Sequence, residues 1–114
     1  MMRVIIVPID KTVTINGESY CNLDLSFIDP SVHAVQWYDT HGEVERKDPI
    51  TQKMISNDVI TSLDDFQQAI TVWQIEKDRV AAEIATRLAN QQIEKDRVAA
   101  EIAARLANQQ NISQ

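Results

Sequence analysis

The chain is predicted to be α+β: a small antiparallel β-sheet domain, then a long C-terminal α-helix, or helical hairpin, used for oligomerisation. Two observations predict this. Every glycine and proline lies within residues 1–49, at Pro8, Gly17, Pro30, Gly42 and Pro49, and none follows. Chain-turning residues are therefore confined to the first part. Beyond it, residues 75–91 (IEKDRVAAEIATRLANQ) recur as residues 93–109 (IEKDRVAAEIAARLANQ), with Thr86 in one copy against Ala104 in the other. The offset of 18 residues is five whole turns at about 3.6 residues per turn. The second copy thus lengthens a helix by ~27 Å without rotating its apolar side. The expected organisation is a β domain over residues 1–60, an amphipathic helix over 61–110 and a frayed tail over 111–114.

Taken in order, Arg3 to Ile9 is rich in β-branched residues and reads as a strand. Thr12-Val13-Thr14-Ile15 alternates polar and apolar, Asn16-Gly17 tolerates positive φ, and Glu18-Ser19-Tyr20 resumes, which is a strong hairpin signal. Leu23, Leu25, Phe27 and Ile28 form an apolar connection that ends at Asp29-Pro30. A second hairpin is predicted from His33 to Tyr38, through a turn at Asp39-Thr40-His41-Gly42, into Glu43 to Arg46. Residues 1–48 therefore read as a sheet of four or five strands. Residues 49–60, with Ile50, Met54, Ile55, Val59 and Ile60, fit either a strand or an irregular lead-in.

Thr61 or Ser62 can cap a helix whose first turn holds Asp64 and Asp65 at the positive end of its dipole. Leu63, Phe66, Ile70 and Trp73 then share one face. Nothing compels the helix to stop before Gln110; Asn90-Gln91-Gln92 is the weakest point, where a helical hairpin could turn. Within one repeat Val80, Ile84 and Leu88 line one side, with Ala81, Ala85 and Ala89 beside them, and the second repeat reproduces the row at Val98, Ile102 and Leu106. Arg79–Glu83 and Glu83–Arg87 are opposite charges one turn apart. A row of large and small apolar residues suits helix packing. The alternative is a solvated helix held by the high propensity of Ala, Glu, Lys and Arg. An apolar seam of this length favours a homo-oligomer, dimer or trimer. A period of 3.6 rather than 3.5 implies nearly straight helices.

Composition excludes several functions. The net charge is −6, and no basic cluster could neutralise a run of phosphates, so no nucleic-acid partner is expected. The apolar runs are far too short for a membrane span or a signal peptide, so neither a membrane partner nor export is expected. The single cysteine, Cys21, cannot form an intrachain disulfide. It has no neighbouring base in the sequence. His33 and His41 lack metal-ligand spacing to each other or to Cys21, and Asp64 and Asp65 are explained by the helix start. No phosphate-binding loop, nucleophile elbow or zinc-protease motif occurs. No catalytic, cofactor-binding or metal site is expected, and the chain is read as not an enzyme. The candidate partner-binding residues are Trp37, Trp73, Val80, Ile84, Leu88, Val98, Ile102 and Leu106. For Trp37 core packing is the favoured reading, and Trp73 is expected to dock the helix on the sheet; exposure of either ring would mark a partner site.

The N-terminal framework is similar to a known group. Val4-Ile5-Ile6-Val7-Pro8, Val13 to Gly17, Leu23-Asp24-Leu25, Val32 to Trp37 and Gly42 to Glu45 carry the likeness, with Ile60 to Leu63, Phe66 and Trp73. Over residues 3–73 this pattern resembles small tailed-bacteriophage proteins encoded near tail-fibre genes, some described as tail-fibre assembly proteins or chaperones. The resemblance implies a non-enzymatic accessory that binds a phage tail fibre or receptor-binding protein. It would be made in the host cytoplasm, with retention in the virion tail as the alternative. A structural tail component and a cytosolic coiled-coil module unrelated to phage are the competing readings. The 18-residue repeat lies outside the resemblance.

Overall fold

A computed structural model describes the backbone of residues 1–112 and the side chains through Gln109. As expected, it contains an antiparallel sheet followed by one long helix. The strands are β1 (Arg3–Val7), β2 (Thr12–Ile15), β3 (Glu18–Tyr20), β4 (Val32–Tyr38), β5 (His41–Lys47) and β6 (Met54–Ile60). They form a single sheet in the order β3-β2-β1-β4-β5-β6, with every neighbouring pair antiparallel.

The first strand stops two residues earlier than expected. Pro8 has no N–H to give a ladder, and the chain turns there through a short 3-10 segment, Pro8–Asp10, closed by Lys11 in the left-handed region. The Asn16-Gly17 turn is as expected: φ is 49° at Asn16 and 83° at Gly17, the two positive values that a type I′ turn needs. Asn16 Oδ1 also accepts the Arg3 N–H at 2.9 Å, tying that turn to β1. The second hairpin is tighter than expected. Its turn is Asp39-Thr40 alone, so His41 and Gly42 belong to β5 and pair with Tyr38 and Trp37. Residues 54–60, ambiguous in the sequence, are a strand, which makes the sheet six-stranded.

Alternation assigns the faces. Val4, Ile6, Val13, Ile15, Val35, Trp37 and Val44 turn to one side and are buried. The connection bearing Leu23, Leu25 and Ile28 covers this side, together with Leu63, Phe66, Ala69 and Trp73. Ser62 Oγ accepts the Asp64 N–H at 3.0 Å where a short 3-10 turn, Asp64–Phe66, opens the helical region. The helix α1 (Gln67–Ile112) then runs without a break through Asn90-Gln91-Gln92, so the hairpin alternative is not adopted. The chain divides into two compact units, Met1–Asp78 and Arg79–Gln114. The first boundary therefore lies beyond the expected residue 60, because the early turns of α1 bury Ala69 and Trp73 in the sheet's core. Of the tail expected to fray, residues 113 and 114 lie outside the described residues.

Candidate helix association surface

The surface begins from how α1 is anchored. Trp73 is only 6% exposed; its Nε1–H donates to the Glu18 carbonyl at 2.9 Å and its ring meets Tyr20 edge to face at 5.7 Å. Lys77 lies over the same indole and reaches Glu18 Oε1 at 3.6 Å. Tyr20 Oη in turn donates to Glu18 Oε2 at 2.7 Å, and the hydrogen bond to that carboxylate raises the phenol above its ordinary range. Trp37 is equally buried, packed within the core, while its neighbour Tyr38 faces the other way and is exposed. The two tryptophans are therefore core residues, and their place among the candidate partner contacts is corrected. An indole is large enough to fill the core of a small sheet, and a buried ring has no face left for a partner.

The helical candidates stand differently. Ile84, Leu88, Val98, Ile102 and Leu106 are each about two-fifths to three-fifths exposed, and Val80 is half-buried. At about 100° per residue, Val80, Ile84 and Leu88 fall within ~80° of one another, and Val98, Ile102 and Leu106 fall on the same line. The alanines Ala81, Ala85 and Ala89 continue the apolar sector away from them. Sequence reasoning missed where this sector ends. Ile75 and Ile93, at 62% and 65% exposure, occupy the side opposite Ile84. The signal was present, since both isoleucines open their repeats, but the reading stopped at the most regular row.

Charged residues border these rows and also fall among them, Lys95 between Ile102 and Leu106 and Asp96 beside the alanines. Arg79 Nη1 donates to Glu83 Oε2 at 3.0 Å, and in the second repeat Arg97 Nη1 donates to Glu101 Oε1 at 2.7 Å. Arg97 also holds Glu94, and this contact is the leading cause that raises its guanidinium further above its ordinary value. Gln74 to Asp78 and Gln92 to Asp96, both 3.0 Å, repeat the same amide–carboxylate bond 18 residues apart. Each of these pairs is exposed and screened by solvent, so it contributes little to stability. Arg79, Glu83, Glu94, Arg97 and Glu101 lie on the side away from the alanines, whereas Gln74, Asp78, Gln92 and Asp96 lie at the azimuth of Ala81, Ala85 and Ala89.

A concavity follows the polar side of α1 between Arg79 and Lys95 and is open to solvent. One helix supplies only one wall, so this is a groove between side chains and not a cleft for a substrate. Among the described residues no group of three or more His, Cys, Asp or Glu side chains is gathered as metal ligands. Cys21 is exposed. His41 stacks on Tyr38 at 6.0 Å, and His33 Nδ1 is buried without a hydrogen-bond partner in β4. No helix among the described residues is long and apolar enough to cross a membrane.

No family model, curated protein or solved structure matches this chain. The likeness to tail-fibre assembly proteins therefore rests on the framework residues alone. Most of those, Val4, Ile6, Val13, Leu23, Val35 and Trp37 among them, are buried in the fold. Such positions report packing more than activity.

Proposed function

We propose that this protein is a non-enzymatic assembly or adaptor protein whose repeat-bearing helix associates side by side with copies of itself. One observation carries the reading. An apolar row, Val80-Ile84-Leu88, is extended in phase by Val98-Ile102-Leu106 on an unbroken helix, and the helix does not fold back to cover it. About half of each large side chain is shielded by its own helix. Covering the rest contributes roughly 1 kcal/mol per residue, half the ~1.5–3 kcal/mol of full burial. Six such residues per chain, multiplied by the number of chains, outweigh the ordering of exposed side chains. The association is a homo-oligomer, a dimer or a trimer.

The resemblance supplies the partner: a phage tail fibre or receptor-binding protein, contacted by the sheet unit while the helices hold the copies together. Sedimentation tests the association. The full chain is expected to run as an oligomer, and Ile84→Asp combined with Ile102→Asp as a monomer with its tryptophan fluorescence unchanged. An unchanged mass for the double variant would show that this face is not the association surface. Co-purification with a phage tail-fibre protein tests the partner. Recovery of this protein in purified particles would instead favour the structural tail component.

A further inference from the structure

The two edges of the sheet are finished differently. At one edge β3 is only three residues long, its Glu18 carbonyl is taken by Trp73 and its Glu18 carboxylate by Lys77. At the other, β6 is seven residues long and exposed at every position but Ile60, with Ile55 at 65% and Val59 at 71%. An open edge carrying apolar side chains is a template for another strand. The free backbone groups can be placed. Lys47 N–H points toward β4, to the Ser31 carbonyl at 2.8 Å, so Arg46, Val44 and Gly42 turn theirs toward β6. These three pair with Ser56, Asp58 and Ile60. Asn57 and Val59 lie between those positions and direct their N–H and C=O outward.

We propose that β6 pairs antiparallel with β6 of a second copy, about a two-fold axis through Asn57. The occupant is read from the strand itself. Met-Ile-Ser-Asn-Asp-Val-Ile has the same apolar and polar pattern in both directions. Antiparallel pairing centred on Asn57 sets Ile55 opposite Val59 and Met54 opposite Ile60 of the second copy, and Ser56 opposite Asp58. The only charged residue of the strand thus meets a hydroxyl and not a like charge. It is already balanced by Arg46, whose Nε lies 2.7 Å from Asp58 Oδ2. Self-complementarity is what an isologous two-fold contact requires, and a foreign strand would impose no such symmetry. The register irregularity between Arg46 and Lys47 is at the start of β6, away from the proposed axis. One strand edge buries far less than the ~1,200 Å² of a stable interface. The contact is accordingly weak and concentration-dependent, and it does not depend on the helical association proposed above.

Cross-linking tests the register in the full chain carrying Ile84→Asp, Ile102→Asp and Cys21→Ser, which removes the helical seam and the native thiol. In hydrogen-bonded antiparallel pairs Cα atoms are about 5.5 Å apart, within disulfide reach. Val59 and its copy would be roughly 13 Å apart along the strand, beyond it. Under mild oxidation Asn57→Cys is therefore expected to form a covalent dimer at least about tenfold faster than Val59→Cys. Equal rates overturn the proposal. In the otherwise native chain, hydrogen exchange at the Asn57 and Val59 amides should slow as the protein is concentrated, and Val59→Lys should abolish that change. Exchange that is independent of concentration overturns the proposal equally, whatever the behaviour of the cysteine variants.

Discussion

At the scale of single residues, Trp73 joins the two kinds of structure in this chain. Its ring fills the core against Tyr20 and its N–H satisfies the Glu18 carbonyl at a sheet edge. Trp73→Phe keeps most of the ring and loses the hydrogen bond, so it should cost about 1 kcal/mol. Trp73→Ala also empties the site and should cost ~3–5 kcal/mol. Urea unfolding followed by circular dichroism separates the two, and equal losses would show that the bond, not the ring, anchors the helix. Gly42 is constrained differently. A Cβ there would collide with the Gln36 carbonyl oxygen and lie 3.0 Å from the Trp37 ring, so Gly42→Ala must displace β4 or β5. A drop in melting temperature is expected, whereas Gly17→Ala is strained by φ and not by space. Asp24 and Asp29 are held below the ordinary carboxylate value, Asp24 first by the Ser26 hydroxyl and Asp29 first by the Ser31 N–H. A lowered folded value gives stability that is present above the unfolded value and disappears as pH falls through the folded one. The melting temperature should therefore decline on acidification below about pH 4. Asp24→Asn with Asp29→Asn should flatten that decline; an unchanged slope would locate the acid sensitivity elsewhere.

At the scale of elements, the hairpins and the helix follow different rules. The β2–β3 turn is set by two residues that accept positive φ, and the register of β1, β2 and β4 follows from which face is apolar. The helix is set by phase. Deleting residues 76–93 rejoins Ile75 to Glu94 with the apolar row still aligned. This variant should retain its helicity per residue and its oligomeric state. Deleting residues 84–92, half a repeat, rotates everything downstream by about 180°. Association should then weaken although the helical content is nearly the same. Sedimentation and circular dichroism of the two variants decide the matter; identical masses would mean that phase is irrelevant to assembly.

At the scale of the whole molecule, the chain has two units whose stabilities have different origins. Met1–Asp78 contains the sheet core and both tryptophans, whereas the described residues of the second unit, from Arg79 to Ile112, are helix alone. The first is stabilised by burial within one chain. The second has, within one chain, only propensity and exposed ion pairs. Tryptophan fluorescence in dilute solution should accordingly melt at a temperature independent of concentration. Helical circular dichroism should show an additional transition that moves upward as the protein is concentrated. A single transition by both probes, fixed at all concentrations, would mean that the helix gains nothing from its neighbours.

Much of this fold was legible in the sequence because its determinants are local. The glycine and proline boundary, the Asn16-Gly17 turn and the five-turn repeat each act over a few residues, and each has its expected counterpart in the structure. The features that the sequence left open or did not address depended on the rest of the fold. Residues 54–60 are a strand because β5 offers them a ladder, and Lys47 is buried because a loop folds over it to present Gln52 at 2.9 Å. Trp37 and Trp73 are core residues because the sheet and the first turns of α1 close around them. Periodicity by itself determined that one side of the helix is apolar for its whole repeated length, since helix geometry is fixed by the backbone. Tertiary structure alone decided that the helix does not bend back over that side of itself, because folding back depends on a break that Asn90-Gln91-Gln92 does not make.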